Sequence, residues 1–384
     1  MDFDLPEDIR LMQATINKFV NQTLEPLSAQ IEEDDAIPED VVQSMREMGL
    51  FGMSVPEEYG GLGLPTLGEC LVYEEISRVN SSVRMRFSTN NGIGSLGILY
   101  DGTPEQRERF LPSIASGEKT IAFALTEPDA GSDASAIRTS AVRDGDQFVL
   151  NGRKMFITNG AIADLITVLA VTDPDKGARG GITAFVVAKP TPGLEVGKLE
   201  KKMGLRGSGT AELIFEDCRV PVDNVIGGEE MIGRGFQTAM KVLDKGRLTL
   251  AASSVGMARK ALELAVLYAK QRVQFGRPIG EFQLIQGMLA QMATEIYAGQ
   301  TMVYRTAWQK DQGRPVRKEA AMSKLYCTEM LGRVCDSALQ IHGGMGYMKE
   351  YAIERIYRDA RVTRIYEGTS EIQKLVIAKE LLRD

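Results

Sequence analysis

Hydrophobic period changes twice along this chain, and each change rules out a large set of folds. From Asp8 to about Ser116 the pattern is helical. Leu11, Ile16, Phe19 and Val20 predict one apolar stripe, and "PEDVVQSMREMGLFG" opens on Pro and closes on Gly, as helices do. Between about Ile121 and Gly228 short β-branched runs take over: "TIAFAL", "DQFVLNG", "LITVLAV", "GITAFVVAKP" and "AELIFEDCRVP", broken by Gly, Pro and Asp turns. No long helical pattern intervenes, which favours a mainly antiparallel sheet or barrel over βαβ units. From about Gly233 long helices return, with "FQTAMKVLDKGRLTLAASSVGMARKALELAVLYAKQR", the Glu281 to Gly313 segment and the Val316 to Gln340 segment. Helices near thirty residues exceed the usual ~10–14 and suit a bundle or an oligomer core. The pattern therefore predicts an α+β chain with helical residues 1–118, a β domain over 119–228 and a helical bundle over 229–384.

Bulk properties narrow function only slightly. At 384 residues the chain has room for two or three cores. A formal net charge of −7 disfavours nucleic acid or anionic membrane as a general partner, although a local basic pocket can still recruit a small anion. The four cysteines, Cys70, Cys218, Cys327 and Cys335, lack CxxC spacing, and His342 is the only histidine, so no metal site is expected and the thiols read as reduced and structural. The stretch "MDFDLPEDIRLMQ" is acidic rather than signal-like, and no apolar run approaches the ~20 residues that span a membrane. A cytoplasmic protein is the expectation.

Candidate chemistry begins with "NSSVRMRFSTNNG", Asn80 to Gly92. Val83, Met85 and Phe87 alternate like a strand, and "GIGSLG" from Gly92 to Gly97 has the spelling of a dinucleotide-binding GxGxxG. That motif needs a strand before it and an acidic residue ~20 residues on, whereas a turn and another helix follow here. Read as helix, the stretch places Arg84, Ser88, Asn91 and Ser95 on one face and turns Arg86 about 200° away at ~100° per residue. Only one of the two arginines can then enter a shared site. The plain alternative is two surface arginines lying over apolar neighbours. Hydrolase chemistry would need His342 and a GxSxG elbow that is missing. Among carboxylates, Glu367 stands just before a helix whose N-cap is Thr369 or Ser370; such a junction can face a cleft or leave an exposed loop acid.

The motifs "ALTEPDAGSD" (124–133), "NGRKMFITNG" (151–160), "LDKGR" (243–247), "RVQFGRPIGEFQLIQ" (272–286), "QIHGGMGY" (340–347) and "RIYEGTSEIQ" (364–373) resemble the acyl-CoA dehydrogenase family over essentially the whole chain. The resemblance implies a helical N-terminal domain, a central antiparallel β-barrel and a C-terminal four-helix bundle, assembled as a homotetramer with one FAD per subunit. It implies that Glu367 is the base removing the Cα proton of an acyl-CoA while hydride passes from Cβ to the flavin. Some relatives carry that Glu in the "LDKGR" segment, where this chain has Gly246. By the same likeness Phe123, Leu125, Thr126, Phe156, Ile157 and Thr158 line the flavin. Arg272, Gln283, Gln340, Gly343 and Gly344 resemble residues that reach a neighbouring subunit's FAD, and Thr369 and Glu371 resemble cofactor contacts. Ser132, Asp244, Arg247 and Gly368 match substrate or CoA contacts.

Within the family the segment around Arg84 is similar to that of glutaryl-CoA dehydrogenases, where an arginine and a serine four residues later hold a distal carboxylate. Arg84 and Ser88 fall on those positions, which implies a dicarboxylic acyl-CoA: glutaryl-CoA or a substituted succinyl-CoA such as benzylsuccinyl-CoA. An unpaired buried Arg is costly, so a substrate carboxylate or a protein acid should meet it. Decarboxylating relatives carry Glu where this chain has Ser77, which points to dehydrogenation without decarboxylation. The competing reading is a short- or branched-chain monocarboxylic acyl-CoA, and a third is a non-catalytic acyl-CoA-binding module. Electron-transfer flavoprotein is the acceptor the resemblance implies.

Overall fold

A computed structural model describes residues 5–383, so the first four residues of the acidic N-terminal stretch lie outside the described residues. The helical block contains α1 (Glu7–Phe19), α2 (Glu25–Asp34), α3 (Glu39–Glu47), α4 (Thr66–Val79), α5 (Ser81–Asn91), α6 (Leu96–Asp101) and α7 (Pro104–Ala115). Sequence punctuation sets these limits: Pro38 precedes α3, Gly49 at φ 70° follows it, and Thr103 starts α7 with a capping box closed by Gln106. One expected position differs. Ile16, Phe19 and Val20 are buried, but Leu11 is 64% exposed, because Ile9 and Ile16, seven residues apart, carry the buried stripe and Leu11 lies about 200° from Ile9.

The middle block is one curled seven-stranded sheet. Its strands are β1 (Ile121–Ala124), β2 (Ser140–Asp144), β3 (Gln147–Thr158), β4 (Leu165–Val171), β5 (Ile182–Ala188), β6 (Leu194–Leu199) and β7 (Thr210–Pro221), with the four-residue helix α8 (Ala178–Gly181) before β5. The order is β1-β4-β2-β3-β7-β6, with β5 also on β4. Pairing is antiparallel for β2–β3, β3–β7, β6–β7 and β4–β5, as alternation predicts; β1 and β4 run parallel, and β2 touches β4 in the same sense. β2 and β6 escape a sequence reading because "SAVRD" and "LEVGKL" are largely exposed and lack an apolar run.

The C-terminal block opens with the 37-residue α9 (Gly235–Gln271), continues through the hairpin β8 (Val273–Gln274) and β9 (Arg277–Pro278), and ends with α10 (Gln283–Asp311), α11 (Arg317–His342), α12 (Ala352–Arg361) and α13 (Ser370–Leu381). Helices α9, α10 and α11 pack together, α13 lies on α11, and α4 runs along α9. The α9 seam is small: Ala251, Ala258, Ala261, Ala265 and Ala269 are buried, and a Cβ on Gly256 would stand 2.0 Å from the Glu74 carbonyl. Close backbone contact thus locks the N-terminal block to the bundle. A second core, with Ile98, Phe110, Ile121, Leu165 and Ala239, joins the N-terminal block, the sheet and α9.

Candidate active site

A cavity opens where the three blocks meet. Arg84 and Ser88 enter it from α5, Phe123, Leu125 and Thr126 from the end of β1, Phe156, Ile157 and Thr158 from the end of β3, Arg247 from α9, and Glu367 and Gly368 from the loop before α13; Ser132 also lines it. Twelve residues scattered over nearly three hundred positions therefore share one space.

Glu367 owes its place to backbone geometry. Glu367 and Gly368 both adopt positive φ, 55° and 87°, a conformation unfavourable for a non-glycine residue and held only where the surroundings enforce it. Two buried side chains do so: Lys324 Nζ donates to the Gly368 carbonyl at 2.7 Å, and Gln373 Nε2 donates to the Glu367 and Gly368 carbonyls at 3.1 and 3.0 Å. Thr369 caps α13 by accepting from the Ile372 N–H, so the turn ends where the helix begins. The carboxyl Oε2 is buried and has no hydrogen-bond partner. Burial pushes its pKa up, while Arg84, Lys324 and Arg247 pull it back. A Cβ at Gly246 would sit 2.5 Å from Oε2, so a glycine in α9 makes room for the acid.

The two arginines of the opening motif separate as helix geometry predicts. Asn80 caps α5 by accepting from the Ser82 N–H. Arg84 is 2% exposed; its Nη2 donates to the Tyr366 hydroxyl at 2.5 Å and its Nε to Ser81 Oγ at 3.4 Å. Both partners are neutral, and among the described residues no carboxylate reaches ion-pair distance of Arg84. Ser88 Oγ donates to the Met85 carbonyl at 3.4 Å. Arg86 instead donates to Thr120 and lies over the Phe51 ring. The expected face stops short: α5 ends at Asn91, so Ser95 is not on it, and Asn91 is a structural clamp donating to the Leu50 and Phe87 carbonyls. "GIGSLG" follows this helix rather than a strand, which removes the dinucleotide reading.

The ends of β1 and β3 form the opposite wall. Met155 N–H donates to the Thr126 carbonyl, and a register irregularity between Lys154 and Ile157 swings Phe156 out at φ 59°, leaving its ring 59% exposed. An exposed flat ring beside threonines and apolar side chains fits a large planar ligand such as a flavin. The buried ion pair Lys154–Glu127 steadies this edge, with Lys154 also donating to the Leu125 carbonyl.

Other sequence candidates lie outside the cavity. Asp244 pairs with Arg247. Arg272, Gln283, Gln340, Gly343 and Gly344 are exposed in the hairpin, the start of α10 and the end of α11. Thr369 is occupied as a cap, and Glu371 is exposed. His342 is packed, stacked on Tyr268 with Nδ1 against the Ala338 carbonyl, and all four cysteines are buried and unpaired. Lys324 escapes a sequence reading altogether, and Tyr366 and Gln373 lie within the motif 364–373 without being singled out there.

Residues 6–118, 122–218 and 233–382 match, in turn, the N-terminal, middle and C-terminal domains of acyl-CoA dehydrogenase. The chain belongs to the acyl-CoA dehydrogenase family. It is 42% identical over 383 residues, all of both chains, to the short-chain specific acyl-CoA dehydrogenase of Clostridium acetobutylicum. It superposes on the butyryl-CoA dehydrogenase of Megasphaera elsdenii with a TM-score of 0.96 at 40% identity and full coverage of both chains. A chain from structural work on the electron transferring flavoprotein of Acidaminococcus fermentans gives the same score at 43% identity and full coverage. This acyl-CoA dehydrogenase is thus a FAD-dependent oxidoreductase. Named similarity falls on short-chain and butyryl-CoA enzymes rather than on glutaryl-CoA enzymes in particular. No helix among the described residues is long and apolar enough to cross a membrane.

Proposed function

We propose that this acyl-CoA dehydrogenase oxidises the Cα–Cβ bond of a short acyl-CoA thioester, with Glu367 as the base. The observation that carries this is the buried, unpartnered Glu367 Oε2 facing the cavity. A carboxylate so placed accepts the Cα proton, and exclusion of water strengthens its interaction with the reacting centre. Bound FAD supplies the two-electron acceptor for the hydride leaving Cβ. Phe123, Leu125, Thr126, Phe156, Ile157 and Thr158 would hold the flavin ring, with Thr369 and Glu371 nearby, while Arg272, Gln283, Gln340, Gly343 and Gly344 would reach the FAD of a neighbouring subunit in a homotetramer. Ser132, Asp244, Arg247 and Gly368 would position the thioester and its CoA. The domain limits are taken as 1–118, 119–228 and 229–384. The short-chain relatives favour a monocarboxylic acyl group over the dicarboxylic expectation. In that reading Arg84, beyond ion-pair distance of any described carboxylate, acts on Glu367 through its charge alone.

One observation keeps a dicarboxylic substrate as the second reading: Arg84 is buried, lines the cavity with Ser88, and has only hydroxyl partners. A distal carboxylate of glutaryl-CoA or benzylsuccinyl-CoA would complete it. Ser77, buried outside the cavity, offers no second carboxylate there, in keeping with oxidation without decarboxylation. Electron-transfer flavoprotein is the proposed acceptor, supported by the similarity to a chain from work on that flavoprotein. The cytoplasm is the proposed setting, supported by the four unpaired thiols.

Anaerobic flavin bleaching with butyryl-, isobutyryl-, glutaryl- and benzylsuccinyl-CoA tests both readings. Fastest bleaching by a monocarboxylic thioester is expected. Faster bleaching by a dicarboxylic one would transfer the assignment to the Arg84 reading, and no bleaching by any would sink the catalytic proposal.

A further inference from the structure

Lys324 is an unusual residue for the middle of a bundle helix. It is 0% exposed, its Nζ makes one hydrogen bond, to the Gly368 carbonyl at 2.7 Å, and among the described residues no carboxylate reaches ion-pair distance of it. A lysine buried this completely is rarely left without a paired acid. The charged groups that face it are Glu367 from the loop before α13, Arg247 from α9, Glu329 from its own helix and Glu371 from α13. Glu329 is already engaged by Ser370 and Arg364, and Glu371 is exposed. Glu367 is therefore the buried acid with which the ammonium interacts most directly. The carbonyl it grips belongs to the residue after Glu367, at the second of two consecutive positive-φ positions.

Arg84 from α5 and Arg247 from α9 also face Glu367. We propose that Lys324 is the positioning residue of the base: its side-chain nitrogen grips the Gly368 carbonyl, fixing the Glu367 turn, and its unpaired charge, beside those of the two arginines, favours the ionised Glu367 carboxyl that takes the Cα proton. The inference rests on the reading of Glu367 as base. Two functions are combined in one group, a clamp and a field. Burial pushes the lysine itself down to about 8, so the ammonium is held at some cost and is lost in mildly alkaline solution.

Two variants separate these functions. Lys324→Gln can still donate to the carbonyl without carrying charge, whereas Lys324→Met does neither. In flavin-loaded, substrate-free protein the Glu367 carboxyl is titrated by difference infrared spectroscopy, with Glu367→Gln subtracted. Its pKa should rise by about one unit in both variants. The acid limb of single-turnover flavin reduction should move to higher pH by the same amount, and Lys324→Met alone should also lose about tenfold or more at the plateau. An unmoved carboxyl in Lys324→Gln, or a uniform rate loss at every pH, overturns the proposal. Should neither variant fold, the unmodified protein decides: the infrared band of the ionised Glu367 carboxylate must shift as Lys324 loses its proton near pH 8, and a band that stays fixed through that pH refutes the coupling. If no acyl-CoA bleaches the flavin yet the infrared shift appears, the catalytic reading fails and the Lys324–Glu367 coupling stands.

Discussion

Gly246 and Glu367 compete for one space, since a Cβ on the glycine would stand 2.5 Å from the carboxyl Oε2. Within a helix such as α9, Gly→Ala ordinarily stabilises by ~1 kcal/mol, so Gly246→Ala pits local propensity against the site. The expected outcome is a melting midpoint that holds or rises slightly while flavin reduction slows at least about tenfold, as a displaced base misses Cα. A variant that reduces its flavin at the normal rate would show that Glu367 acts from another position. Legibility at this scale follows the range of the interaction. The separation of Arg84 from Arg86 is visible because helical angle is a local property. The grip of Lys324 on Gly368, 44 residues away, and of Arg84 on Tyr366, 282 residues away, leaves no periodic mark in the sequence. Glu367 itself was nameable only through its motif, because nothing local tells a buried acid from an exposed one.

Elements were legible where their apolar side is continuous and illegible where it is not. Strands β4 and β5 are buried along almost their whole length and announce themselves, whereas the sparse burial of β2 and β6 hides them. The contact of α12 with the segment before β7 is of the hidden kind, and it contains a titratable group. Asp359 in α12 is 4% exposed and accepts the Leu205 N–H at 2.5 Å. Burial, with Glu32 adding to it, raises its pKa to about 6, against the pull of the Leu205 N–H, Arg355 and Arg358. A folded-state pKa above the unfolded value means that its stabilising contribution is complete below about 3.8 and is lost as pH rises through about 6. Asp359→Asn keeps an acceptor for Leu205 and removes the buried charge. Its stability should therefore exceed that of the unmodified protein at pH 8 by on the order of 1–3 kcal/mol, read as a higher melting midpoint, and the difference should shrink towards pH 5. A lower midpoint at pH 8 would mean that Arg355 and Arg358 repay the buried carboxylate in full.

At the scale of the whole molecule the order α, β, α was readable because each block keeps one hydrophobic period for a hundred residues or more, but the cavity was not, since it exists only where the blocks meet. Phe275, Leu284, Tyr347 and Tyr297 are 92%, 85%, 80% and 74% exposed, a large apolar display for an isolated chain. Phe275 shares the β8–β9 hairpin region with Arg272, Leu284 follows Gln283, and Tyr347 lies three residues after Gly344, so the apolar side chains sit beside the residues proposed to reach a neighbour's FAD. If these surfaces are interfaces, assembly and cofactor retention must fail together. Phe275→Asp combined with Leu284→Asp should reduce the proposed tetramer to smaller species by light scattering, with unchanged helical circular dichroism and a several-fold loss of bound FAD per subunit. A variant that stays tetrameric and flavin-loaded would place the interface elsewhere, and a variant that dissociates yet keeps its FAD would show that one subunit completes the flavin site by itself.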